Sequence, residues 1–161
     1  MTKKNCIIFF TGILFFLNGC AGYEPIFSSK NVQFIIEDFT IEGDTTLSKK
    51  IFSKLNNLSK SNKNTQEAKS ITININSSKN KTGTNKSSSG KILEYRIVLK
   101  ISVKIHDYLT NAMILNQTFT SSTSYKVQDQ YFETVQLENT SVENLINNIY
   151  QELLITLSQN I

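Results

Sequence analysis

Between Tyr95 and Asp107 the chain alternates. Tyr95, Ile97, Leu99, Ile101, Val103 and Ile105 are apolar, while Arg96, Lys100, Ser102, Lys104 and His106 are polar, with Val98 the one exception. Side chains of a strand point to opposite faces in turn, so a period of two over this length means one buried face and one wet face. At about 3.3 Å per residue the stretch spans roughly 43 Å, well beyond an ordinary strand of five or six residues. A strand of this kind needs a cover for its apolar side. It also presents Arg96, Lys100 and Lys104 as a row of cations on the other, at intervals of about 13 Å.

The length of 161 residues favours one domain. Apolar residues make up 39% and charged residues 19%, a globular rather than a disordered composition. The formal charge is +4. Removing Lys3 and Lys4 with an N-terminal signal leaves 4 − 2 = +2, too little to point to nucleic acid.

The N-terminus reads as an address. Lys3 and Lys4 precede Cys6 to Leu17, which is apolar except for Thr11 and Gly12 and too short for a bilayer span of about 20 residues. It ends in Leu17-Asn18-Gly19-Cys20, which resembles a bacterial lipobox. There the cysteine sulfur takes a diacylglycerol, cleavage occurs before it, and the freed amine takes a further acyl chain. Several chains hold a protein where one does not, at about 0.8 kcal/mol per buried methylene. The expected division is therefore residues 1–19 as a removed signal, 20–30 as a lipidated tether and 31–161 as one domain. Cys6 leaves with the signal and Cys20 is occupied, so no redox pair remains. Ala21 in place of an inner-membrane retention Asp favours the outer membrane.

Beyond the tether, Val32 to Phe39 reads as a first strand, broken by Gly43 and Asp44. Leu47, Ile51, Leu55 and Leu58 mark an amphipathic helix capped by Thr45 or Thr46. Ile71, Ile73 and Ile75 give a second strand. Ser77 to Gly90 has no apolar residue and predicts a flexible loop. The long strand follows, then a turn at Leu109 to Asn111 and a fourth strand from Met113 to Val127. Val142, Leu145, Ile146, Ile149, Leu153 and Leu157 share one face of a last helix over Glu138 to Ser158. The order β, α, β, β, β, α predicts an α+β fold: two helices on one face of a four-stranded, mainly antiparallel sheet, with the Arg96, Lys100 and Lys104 face uncovered.

Catalytic constellations do not stand out. His106 is the only histidine and no free cysteine joins it, so no metal site and no nucleophile–base pair is expected. Gly83 and Gly90 stand alone, without a phosphate loop. Neither enzyme activity nor a cofactor is expected.

Three stretches carry a family resemblance. Cys20-Ala21-Gly22-Tyr23-Glu24-Pro25-Ile26-Phe27 resembles the mature start of the lipopolysaccharide-assembly lipoprotein family LptE, in which Cys-Gly-Phe-x-Pro-Leu-Tyr follows the signal. Ile105 to Ala112 resembles that family's hairpin, Leu-x-Asp-x-x-Thr-Gly, with Asn111 where Gly is common. Ser124-Tyr125 is similar to its Ser-x-Tyr. The resemblance implies a structural partner of the outer-membrane β-barrel LptD, lodged in the barrel, aiding its folding and the delivery of lipopolysaccharide. Arg96, Lys100 and Lys104 are then candidate contacts for the lipopolysaccharide headgroup or for acidic groups of the barrel wall. The plainer reading is that they keep an uncovered sheet face soluble, since polar alternation alone produces this pattern. Two other readings share the anchor: an auxiliary lipoprotein of an ABC-type lipid-transport system, and a periplasmic subunit of an enzyme whose chemistry lies on its partner.

Overall fold

The computed structural model describes residues 33–61 and 68–161. Cys20, the signal and the tether lie outside these residues. The elements are β1 (Phe34–Gly43), α1 (Thr45–Ser61), β2 (Lys69–Lys86), β3 (Ile92–Asp107), β4 (Met113–Lys126) and α2 (Tyr131–Ser158). They form the expected α+β fold, a four-stranded sheet in the order β1-β2-β3-β4. β1 runs parallel to β2, joined through α1, and the other neighbours are antiparallel.

The alternation along β3 places its apolar set under the helices. Ile97, Leu99, Ile101, Val103 and Ile105 are completely buried, with Ile71, Ile73 and Ile75 beside them on β2. From above come Leu47, Ile51 and Leu55 of α1 and Val142, Leu145, Ile146, Ile149, Leu153 and Leu157 of α2. These are the stripes that the helical spacing predicts. Leu58 packs at the margin of the same core.

β1 runs on to Gly43, which ends it with φ at +72°, a conformation that only glycine takes without strain. A Cβ there would also lie 2.2 Å from the Ser77 carbonyl oxygen. The cap of α1 is Asp44 rather than Thr45 or Thr46. Its Oδ1 accepts hydrogen bonds from the backbone N–H of Thr46 at 3.1 Å and of Leu47 at 3.2 Å. A short carboxylate satisfies the first-turn donors and faces the positive end of the helix.

The expected loop at Ser77 to Gly90 is wrong for most of its length. β2 continues through it to Lys86, paired with β3 from Ser77↔Ile101 to Lys86↔Ile92, with register shifts after Gly83 and after Asn85. Only the four-residue turn at Ser87 to Gly90 leaves the ladder. The apolar signal fails because polar groups take over the helix-facing positions. Ser77 is buried, and its hydroxyl donates to the Asp44 carbonyl at 2.8 Å and lies 2.7 Å from the Ser48 hydroxyl. Two and four residues on, Lys79 and Lys81 meet Glu138 of α2, at 3.4 and 2.5 Å. The Tyr125 hydroxyl donates to the same carboxylate at 2.9 Å, and the Lys81 ammonium lies 4.2 Å from the Tyr95 ring centre.

Burial would lower the Lys81 pKa, but hydrogen bonds to Glu138 and Tyr125 carry it above the ordinary lysine range. Burial likewise works against ionised Glu138, and the hydrogen bonds from Lys81 and Tyr125 outweigh it, leaving its pKa lowered.

α2 starts at Tyr131, two turns before the expected Glu138. Those turns carry little buried apolar surface. Tyr131 and Phe132 are exposed, and buried Thr134 uses its hydroxyl to accept the Gln128 N–H at 2.9 Å. At 28 residues the helix is about 42 Å long.

Two outcomes follow from this packing. Ile149→Asp removes burial worth about 1.5–3 kcal/mol and places a carboxylate in the core. In a domain whose whole margin is roughly 5–15 kcal/mol, the cooperative thermal transition should be lost or shifted far down by circular dichroism. Glu138→Gln should cost about 1 kcal/mol in urea unfolding at neutral pH, below the roughly 1.5–3 kcal/mol of a hydrogen bond to a charged group because Lys81 is partly exposed. A lowered carboxylate pKa stabilises above the unfolded value of 4.5 and is lost as pH falls through the folded value. The difference between Glu138→Gln and the wild type should therefore shrink below pH 4.5.

Candidate functional site

Among the described residues, the face of the sheet away from the helices is open across all four strands. Cross-strand pairing assembles it from residues that alternate with the core. Asp38, Thr40 and Glu42 of β1 stand beside Thr72, Asn74 and Asn76 of β2. These neighbour His106, Lys104 and Ser102 of β3, which in turn neighbour Met113, Asn116 and Thr118 of β4. The surface is almost wholly hydroxyl, amide and charge, and β1 contributes its acids at one edge.

The three sequence-predicted cations lie here, each exposed. Arg96 donates through a terminal guanidinium nitrogen to the Ser122 hydroxyl at 3.0 Å. Neither Lys100 nor Lys104 makes an ion pair among the described residues. Lys104 borders a depression of about 380 Å³ with Glu42, Asn74, Asn76 and Ser102. Across the row, the Ser102 and Thr118 hydroxyls lie 2.7 Å apart, joining β3 to β4 on the open side.

The fold brings these cations to one face but does not converge them. Single phosphates are held by cations within a few ångströms, whereas charges about 13 Å apart suit an extended surface of separated anions. The row can therefore meet a wall of carboxylates or several headgroups side by side.

His106 and Asp107 serve the hairpin rather than each other. His106 Nδ1 lies 3.3 Å from the Asn111 carbonyl oxygen. Asp107 Oδ1 accepts the backbone N–H of Thr110 at 2.8 Å and of Leu109 at 3.0 Å. The hydrogen bonds from Thr110, followed by that from Leu109, hold the Asp107 pKa below the ordinary carboxylate value. Asn111 takes φ +57°, the left-handed conformation its place in the hairpin requires. Among the described residues no cluster of His, Cys, Asp and Glu is placed to hold a metal.

The Lys81, Glu138, Tyr125 and Tyr95 cluster escapes sequence reasoning because its strand reads as a loop. The parity of Ser77, Lys79 and Lys81 with Ile71, Ile73 and Ile75 is the signal that marks it. The cluster borders a groove of about 410 Å³ between the far end of the sheet and the first turns of α2.

Comparison with known proteins rests on structure. No protein-family model and no curated protein matches the chain. Solved structures do. Lipoprotein B of Nitrosomonas europaea is similar with a TM-score of 0.54 at 17% identity, over 76% of this chain and 83% of that one. A minor lipoprotein of Acinetobacter baumannii is similar with a TM-score of 0.53 at 16% identity, over 79% and 94%. The rare lipoprotein B of Shewanella oneidensis is similar with a TM-score of 0.52 at 12% identity, over 76% and 95%. The sheet-and-two-helix fold of this chain is thus one that bacterial lipoproteins adopt.

Proposed function

We propose that this chain is an outer-membrane lipoprotein of the LptE kind. It is anchored through Cys20, and its domain forms a complex with an LptD-like β-barrel, assisting that barrel's assembly and the delivery of lipopolysaccharide to the outer leaflet. Its role is structural, without chemistry of its own.

The observation that carries this reading is the open sheet face. β2, β3 and β4 together present a broad, polar surface that no helix of the described residues covers. A soluble domain of this size gains nothing from strands of 18, 16 and 14 residues unless their free face meets something. The lumen of an outer-membrane barrel is polar and fits such a face. Support also comes from the lipobox, the three stretches that resemble the LptE family, and the shared lipoprotein fold.

Photo-crosslinkers at Ser102 and Thr118, in the middle of the open face, should trap a much larger outer-membrane protein in cells. Capture of ABC-type transport subunits or of soluble periplasmic proteins alone would refute the barrel partnership. Replacing Arg96, Lys100 and Lys104 together by Gln separates the roles of the row. Loss of binding to purified lipopolysaccharide with normal barrel complex supports headgroup contact. Loss of the complex itself points to acidic groups of the barrel wall. No change in either leaves the cations a solubility device.

A further inference from the structure

The two hairpin turns of the sheet stand at opposite ends and differ in chemistry. The turn between β2 and β3 is Ser87-Ser88-Ser89-Gly90, flanked by Lys86 and Lys91, a surface made for water. The turn between β3 and β4 carries Tyr108, Leu109 and Met113, which are 52%, 84% and 59% exposed. Three large apolar side chains within six residues are an unusual tip for a hairpin that otherwise alternates so strictly.

The backbone N–H groups of this second turn are paired within the protein. The Tyr108 N–H donates to the Ser70 carbonyl at 3.0 Å. Those of Leu109 and Thr110 donate to Asp107 Oδ1. The Asn111 N–H donates to the Asp107 carbonyl at 2.9 Å, and that of Ala112 reaches the Thr110 hydroxyl at 3.4 Å. Every N–H from 108 to 112 therefore has a partner within the protein. With its donors paired, the turn can approach a hydrocarbon boundary without leaving an N–H unsatisfied, which there would cost several kcal/mol.

The same end of the domain receives the N-terminus. Gln33 lies against the start of β2, its carbonyl accepting the Lys69 N–H at 3.1 Å, one residue from the Ser70 that holds Tyr108. Thirteen residues separate Cys20 from Gln33, so the anchor point lies at most roughly 47 Å from this end. The serine turn is another 16 residues of β3 away, about 53 Å.

The geometry points to a membrane contact: the Tyr108, Leu109 and Met113 tip of the free lipoprotein rests in the lipid leaflet that holds its acyl chains, before any barrel is engaged. Leu109 and Met113 enter the acyl boundary, and Tyr108 sits at headgroup level with its hydroxyl wet. The domain thereby stands on its hairpin with the open sheet face upright and free. This rests on the Cys20 anchor of the proposed function and not on the barrel.

The chain has no tryptophan, so one introduced residue reports alone. Leu109→Trp at the tip and Tyr131→Trp at the opposite end both replace side chains 84% exposed, outside the core. Each full-length, lipidated protein is mixed with vesicles of phosphatidylethanolamine and phosphatidylglycerol, with and without brominated acyl chains. Its flotation and the mass of its Cys20 peptide are recorded alongside. The expected result is a blue shift and bromine quenching for Leu109→Trp, with Tyr131→Trp emitting as in water. Protein that floats while Leu109→Trp stays water-like, or while both positions are quenched alike, overturns the tip contact and leaves the anchor standing. An unacylated Cys20 peptide with no flotation overturns the anchor, and the tip contact with it.

Discussion

β3 is hydrogen-bonded along nearly its whole length on both sides, to β2 from Asp107 to Ile92 and to β4 from Glu94 to His106. Everything else depends on that double pairing. It forces alternate side chains onto opposite faces, so Ile97 to Ile105 form one continuous apolar floor and Arg96 to His106 a roof that is polar except at Val98. A slip of one residue would exchange the two, burying three cations, so the register is held by the cost of a buried charge. α1 and α2 are the cover the floor requires, and they leave the roof bare because their own apolar stripes are spent on the floor.

The covered face changes chemistry along its length. Near the β3–β4 turn it is isoleucine, leucine and valine. Farther on it becomes the Ser48–Ser77 contact, and then Lys81 and Glu138 ringed by Tyr95 and Tyr125. Among the described residues, no buried side-chain nitrogen or oxygen lacks a partner. The polar end therefore holds α2 in place without costing the core an unpaired group. It also orients the helix. An apolar stripe tolerates sliding, whereas a carboxylate that takes two ammoniums and a phenol fixes one position. Lys50 of α1 pairs with Glu143 of α2 in the same sense, at the surface.

The molecule is polarised along its strands as well as across them. One end carries the apolar hairpin tip and receives the chain from Cys20. The other carries serines, lysines and the exposed Tyr131 and Phe132. The open face runs between the two ends with its cations spread rather than gathered. Such a surface is suited to lie along another extended surface. His106 and Asp107 are both spent on closing the β3–β4 turn.

Most of the architecture was legible where one residue type repeats at a structural period. The period of two in β3 and the spacing of Leu47, Ile51 and Leu55 and of Val142 to Leu157 followed from side-chain geometry alone. So did the placement of Arg96, Lys100 and Lys104 on a face apart from the core. The reading failed where burial is polar. Ser77, Lys79 and Lys81 look like a solvated loop, because hydrophobicity cannot register a strand whose inward side chains are satisfied by Asp44, Ser48 and Glu138. The first turns of α2 failed for a related reason, as Thr134 is their only fully buried side chain. The Asp44 cap was missed because three neighbouring residues were all competent and only the chain's path past Gly43 selects one. The sequence by itself determined which apolar side chains of β3 and the two helices leave water, since transfer of apolar surface depends on composition and period. The tertiary structure decided how far β2 runs, where α2 begins and which hairpin turn lies at the end that receives the N-terminus, because each depends on partners distant in the chain.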